Sequence, residues 1–187
     1  MNQGVLIMHQ KSQIEHEAKV LGVDTKAITK KLKSIGAKEK STVLHRRYVF
    51  NTIPFNENKW LRLRSDGKKH TITIKQIDDD TITGTKEWET EVANFETMLD
   101  ILVHSGIKPK AYQENRRTDF LLGKVTISLD EWPKIPPYIE IEGPNEQSVL
   151  EVAKKLGYSK DDLTSLNTKK VYLNYGINLD EISELKF

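Results

Sequence analysis

Charged residues recur along this chain at two-residue spacing, in a pattern suited to holding a polyphosphate. Glu15-x-Glu17-x-Lys19, Arg62-x-Arg64, Glu89-x-Glu91 and Glu140-x-Glu142 each place such groups at alternate positions. In a β-strand, alternate residues project from one face. Arginine forks match phosphate oxygens bidentately, and lysines act as point charges. Paired carboxylates hold Mg2+ or Mn2+, which keep several waters and bind phosphate in turn. A solvated surface strand shows the same alternation, so the first motif alone decides nothing. Its repetition carries the weight.

Composition narrows the alternatives. The 187 residues allow one ordinary domain with a full core. Charged residues make up 30% of the chain, yet the formal net charge is only +2. That balance gives little support to a nucleic-acid binder, whose phosphate contacts need a marked basic excess. With no cysteine there are no disulfides or thiolate metal sites, as suits a reducing compartment. The apolar run Val5-Leu6-Ile7-Met8 lacks a basic leader and is too short for a signal peptide or membrane span. The expectation is a cytoplasmic protein with no membrane contact. It has an N-terminal tail over 1–12, one domain over 13–176 and a C-terminal tail over 177–187.

The positioning elements follow from periodicity. A strand over Ile14–Val20 precedes a helix that Asp24 or Thr25 can cap; Ile28, Leu32 and Ile35 form its apolar stripe and Gly36 ends it. Lys26, Lys30, Lys31 and Lys33 read as its solvated face. A strand through 42–51 leads to a hairpin, 59–64 and 70–75, around the Ser65-Asp66-Gly67-Lys68 turn. Its Leu61, Leu63, Ile72 and Ile74 share one face; Arg62, Arg64, Thr73 and Lys75 share the other. Further alternating strands are expected over 86–92, 112–121, 125–130 and 138–143. Asn94 and Asn145 cap two more helices, and 168–175 suits a short last one.

Roughly eight strands thus share one apolar and one charged face, and an antiparallel sheet of that size can close into a barrel. The apolar residues would then face outward under the helices and the charges would line the interior. Unpaired charges removed from water cost several kcal/mol each, roughly, even after relaxation. Water, mutual pairing and a charged ligand must offset that. The ligand implied by these side chains is a polyphosphate carrying divalent metal.

Taken in order, Glu15-x-Glu17-x-Lys19, Leu61-Arg62-Leu63-Arg64, Thr73-Ile74-Lys75, Glu89-x-Glu91, Arg117, Asp130 and Glu140-Ile141-Glu142-Gly143 resemble the CYTH superfamily of triphosphate tunnel enzymes. The resemblance spans about residues 13–176 and is greatest to the class IV adenylyl cyclase-like branch. It implies an α+β fold: an eight-stranded antiparallel closed β-barrel with a charged interior and helices outside. By position, Lys19, Arg62, Arg64, Lys75 and Arg117 would bind phosphate. Glu15, Glu17, Asp130, Glu140 and Glu142 would bind Mg2+ or Mn2+ directly or through water, with Glu89 and Glu91 close by. Glu15, Glu17 and Lys19 would carry the catalytic role. One departure stands out: the family often has a basic residue where this chain has Asn115. Lys169 or Lys170 could supply the tunnel lysine of some hydrolase members.

The resemblance implies a nucleoside triphosphate or inorganic triphosphate as partner, and family analogy suggests a homodimer. Conversion of ATP to cyclic AMP and pyrophosphate is the first expectation. Tripolyphosphatase or thiamine/nucleoside triphosphatase activity is the alternative, and a non-catalytic polyphosphate-binding module is the third. The five histidines are scattered without metal-ligand spacing, and no phosphate-cradling glycine loop is present. His16 reads as a packing residue, as do Trp60, Trp88 and Trp132. Stacking of a base on Trp60 is the sharper reading of that residue.

Overall fold

A computed structural model describes residues 12–187; the apolar run at 5–8 and most of the expected N-terminal tail lie outside the described residues. The strands are β1 (Gln13–Glu15), β2 (Glu17–Leu21), β3 (Lys38–Asn51), β4 (Lys59–Ser65), β5 (His70–Ile77), β6 (Thr85–Glu91), β7 (Pro109–Leu122), β8 (Val125–Glu131), β9 (Tyr138–Glu142) and β10 (Glu184–Leu185). The helices are α1 (Thr25–Ser34), α2 (Phe95–His104), α3 (Glu146–Leu156) and α4 (Thr168–Asn174).

The sheet runs β1-β6-β5-β4-β3-β7-β8-β9-β2, with neighbours antiparallel. Its two ends are successive pieces of one stretch of chain. β1 pairs with β6 through Glu15↔Thr85, and β2 pairs with β9 through Glu17↔Glu142. Between them, the Gly143 N–H donates to the His16 carbonyl at 3.0 Å, and the Glu17 N–H donates to the Ile82 carbonyl at 3.1 Å. Counting β1 and β2 as one interrupted strand, eight strands form the nearly closed barrel expected from the alternation. β10 adds a short parallel partner to β7.

The apolar faces point outward. Ala18, Val20, Ile127, Leu129, Ile139 and Ile141 pack with Ile28 and Leu32 of α1 and Val149, Val152 and Leu156 of α3. On another side, Phe50 and Leu63 meet Phe95 and Leu102 of α2. The helices form where their caps allow: Asp24, Asn94, Asn145 and Asn167 each accept from a backbone N–H in the first turn. Gly157 ends α3 at φ 99°, a left-handed position that glycine adopts without a Cβ clash. No helix among the described residues is long and apolar enough to cross a membrane.

The 177–187 segment, expected as a tail, packs against the barrel. Leu179 and Leu185 are buried with Trp132, Tyr138, Val171 and Tyr172. Its apolar residues, Ile177, Leu179, Ile182, Leu185 and Phe187, recur at spacings of two and three that fit neither a strand nor a helix throughout, which is why their burial was not legible.

The same alternation turns His45 and Arg47 of β3 inward. His45 is 9% exposed, and burial, followed by Arg64, Arg47 and Arg117, pushes its imidazole down to about 3. Below pH 6.5 the unfolded chain therefore takes up a proton that the folded chain refuses. His45's stabilising contribution is complete above pH 6.5 and is lost as the pH falls toward 3. His45→Gln should flatten the acid limb of the stability curve by up to about 1.4 kcal/mol per pH unit between pH 6 and 4, measured by urea unfolding. For the outer core, Ile141→Ala should cost about 2–5 kcal/mol in the same measurement. Ile53→Ala, at a residue 78% exposed, should shift stability by less than about 0.5 kcal/mol.

Candidate functional site

The barrel encloses a cavity of about 570 Å³ whose lining includes Glu15, Glu17, Lys19, Arg62, Arg64, Lys75, Glu89, Arg117, Glu140 and Glu142. Strand register brings them together. Glu140 lies opposite Lys19 across β9 and β2, and Thr73 lies opposite both Arg62 and Glu89 across β4, β5 and β6.

The lysines sit among carboxylates. Lys19 Nζ is 2.8 Å from Glu17 and 3.1 Å from Glu140. Burial opposes its charge, but Glu17 and Glu140 outweigh that and hold the ammonium above its ordinary value. Glu140 is the mirror case: burial would raise it, while Lys19 and Arg117 keep its carboxyl well below the usual range. Lys75 Nζ reaches both Glu15 oxygens at 2.8 Å and Glu87 at 3.4 Å. Burial nevertheless lifts Glu15 to about 7 against the pull of Lys75, and Glu87 adds to the rise. Glu142 stands at the rim. Loss of solvent on its inner side, then Glu140, Glu15 and Glu17, raise its carboxyl. These glutamates form one negative cluster that two lysines only partly neutralise.

Opposite them are the guanidinium groups. Arg62 lies 3.3 Å from Glu87 and 3.5 Å from Glu89, and Arg64 lies 3.8 Å from Glu89. Glu89 also accepts from Thr73 Oγ1 at 2.7 Å. Arg62 first, then burial, pushes Arg64 down to about 10, the mark of cations crowded together. The buried Nε of Arg62 has no hydrogen-bond partner among the described residues.

Two expected residues lie elsewhere. Asp130 is fully buried beneath the cavity wall; it accepts from Arg117 at 2.9 and 2.5 Å and from Asn115 at 2.6 Å. Arg117 also reaches Glu140 at 3.0 Å, so Asp130 orients a cavity arginine without facing the cavity. Glu91 is at the strand end, exposed and paired with Lys69 at 2.7 Å. Lys169 borders the cavity but is held by Asp180 at 2.5 Å, and Lys170 pairs with Asp80.

Other residues enter that sequence reasoning did not assign to the site. Glu87 shares the parity of Glu89, which was a usable signal. Arg47 shares inward parity with His45 because Tyr48 and Phe50 face α2, but the continuous Tyr48-Val49-Phe50 run shows no alternation that would mark the inner face. His16 lines the cavity instead of packing outside, since the strand interruption breaks the alternation there. Trp132 does pack, edge-on to Tyr172 at 6.2 Å between ring centroids. Trp60 lies in the cavity lining, and Trp88 is partly exposed.

Hard oxygen donors suit Mg2+ or Mn2+. Among the described residues no three carboxylates meet at metal-ligand spacing. Mg2+ does not require three, because it keeps several waters and takes one or two carboxylates plus substrate phosphates. The excess negative charge around Glu15 and Glu142 fits such an ion. Glu15, Glu17, Glu140 and Glu142 are the cavity carboxylates that could hold it.

Solved structures resemble this one. A Pyrococcus horikoshii protein, PH1012, is 26% identical with a TM-score of 0.72, over 82% of this chain and 96% of its own. A candidate adenylate cyclase from Vibrio parahaemolyticus is 16% identical with a TM-score of 0.74, over 87% and 99%. A candidate adenylyl cyclase from Hippeastrum, described as having a dominant triphosphatase activity, is 14% identical with a TM-score of 0.57, over 92% and 100%. No curated protein matches. The model of the CYTH domain matches residues 13–166. With most of its length matched and its ordered charge motifs gathered in one barrel, this chain belongs to the CYTH family.

Proposed function

We propose that this chain is a divalent-metal-dependent enzyme acting on an organic triphosphate, with ATP converted to cyclic AMP and pyrophosphate as the first reading. CYTH proteins bind triphosphates, depend on a divalent metal and are typically triphosphate-processing enzymes. The observation that carries the reading is the division of the cavity. Guanidinium groups crowded closely enough for Arg62 to depress Arg64 face a carboxylate cluster in want of a cation.

Arg62, Arg64, Arg117 and Lys75 would hold the triphosphate oxygens in place, and the closed wall would exclude bulk water from them. A divalent ion bound at Glu15, Glu17, Glu140 or Glu142 would supply charge neutralisation and lower the pKa of the attacking oxygen. In cyclisation the ribose 3′-hydroxyl oxygen bonds to the α-phosphorus, the α–β bridging P–O bond breaks, and pyrophosphate leaves. The hydroxyl proton passes to the Glu15–Glu17 carboxylates. Trp60 gives the cavity an aromatic ring against which an organic group can lie; an inorganic triphosphate has no use for it. Lys169 and Lys170, the two candidates for the hydrolase lysine, are engaged by Asp180 and Asp80, which favours the cyclase reading over hydrolysis.

Triphosphate hydrolysis is the second reading, favoured by the Hippeastrum protein of this fold. There a water oxygen bonds to the terminal phosphorus and orthophosphate is released.

Purified protein given Mg2+ or Mn2+ with ATP, tripolyphosphate or thiamine triphosphate should form cyclic AMP and pyrophosphate from ATP, resolved by chromatography. Orthophosphate release would move the assignment to the second reading, and no metal-dependent product would overturn both. Glu15→Gln and Arg62→Ala should each lower turnover by about 100-fold or more while circular dichroism stays unchanged. Normal turnover in both would sink the assignment.

A further inference from the structure

The arginine side of the cavity holds one guanidinium beyond those matched to the family pattern. Arg47 is 7% exposed and lines the same cavity. Its Cζ lies 4.6 Å from the centroid of the Trp132 ring, so its plane rests on an aromatic face. One terminal nitrogen donates to the Asn115 carbonyl oxygen, and the buried Nε has no hydrogen-bond partner among the described residues.

The other arginines lining this cavity reach carboxylates directly: Arg62 and Arg64 at Glu89, Arg117 at Asp130 and Glu140. Arg47 reaches Asp130 only through Asn115, whose amide nitrogen donates to that carboxylate at 2.6 Å. Burial, then Arg62, Arg64 and Arg117, bears against its charge. A guanidinium stays protonated in proteins even so. This cation is therefore fully charged, desolvated and without a contacting counter-charge among the described residues, a state that is unfavourable unless an anion arrives.

Asn115 is the other half of the arrangement. It stands on β7 opposite His45, so Arg47 is its diagonal neighbour across the β3–β7 pairing. A lysine at 115 would place a second cation in the Arg47 contact, where asparagine accepts one bond and donates another. The basic residue that the family resemblance leads one to expect at 115 is thus replaced by a neutral residue that faces a cation from the next strand.

We propose that Arg47 is a substrate-binding residue whose guanidinium takes a phosphoryl oxygen in the cavity, and that it replaces across the β3–β7 pairing the cation absent from position 115. This rests on the triphosphate reading of the cavity. If Arg47 were only a packing residue for Trp132, its removal would harm stability and leave anion binding alone.

Calorimetric titration with inorganic tripolyphosphate in Mg2+, paired with thermal melts, separates these cases. Arg47→Met keeps an apolar stem against Trp132 and deletes the charge. It should bind tripolyphosphate about tenfold or more weakly than wild type, with a melting midpoint no lower. Asn115→Lys alone should weaken binding and lower the midpoint. The double variant should recover binding to within about threefold of wild type, its cation now on β7. Unchanged affinity in Arg47→Met overturns the proposal and leaves the triphosphate reading intact. So does a lowered midpoint in Arg47→Met with no recovery of binding in the double variant. Absence of tripolyphosphate binding by the wild type overturns the triphosphate reading itself, and this proposal with it.

Discussion

Keeping guanidinium, ammonium and carboxylate groups inside a barrel constrains everything around them. Lys19, at 2% exposure, can remain charged only because Glu17 and Glu140 are within 3.1 Å. Each such pair fixes the register of the strands that bear it, since a one-residue slip would send every charge to the outer face. The outer face is where Ile139, Ile141 and Ile127 meet α1 and α3. The apolar shell and the charged interior are therefore one pattern seen from two sides. Pairing inside is incomplete, and the groups left over are those suited to a metal-bearing anion: Glu142 among the carboxylates, and Arg47 among the guanidinium groups.

The interrupted first strand has a special place in this arrangement. Glu15 belongs to β1 on one sheet end and Glu17 to β2 on the other, so closure of the barrel and assembly of the carboxylate cluster occur at the same residues. Lys75 from β5 and Lys19 from β2 then bridge the seam from its two sides. Damage to the seam would disturb fold and site together.

Much of this was legible in the chain. Strict alternation in 59–64, 70–75 and 138–143 placed Arg62, Arg64, Lys75 and Glu140 on the inner face, and the structure puts them in the cavity. Asn94 and Asn145 stood out as caps for the ordinary reason that their side chains accept first-turn N–H groups. Parity alone could not tell depth. Asp130 and Glu91 both have inward-type spacing, yet one is sealed beneath Arg117 and the other lies beyond the wall beside Lys69. Nor could parity survive the break at His16, or find Leu179 and Leu185, whose burial depends on Tyr138 and Tyr172 far away in sequence.

The central claim is that the interior charges exist to receive a metal-bearing triphosphate. A crystal structure of the protein with tripolyphosphate and Mn2+, with the metal located by its anomalous signal, tests that most directly. The expected result is the anion inside the barrel in hydrogen-bond contact with Arg62, Arg64 and Arg117, and Mn2+ at the Glu15–Glu17–Glu140–Glu142 cluster. Tripolyphosphate found only on outer lysines such as those of α1, with the interior ion pairs unchanged, would contradict it.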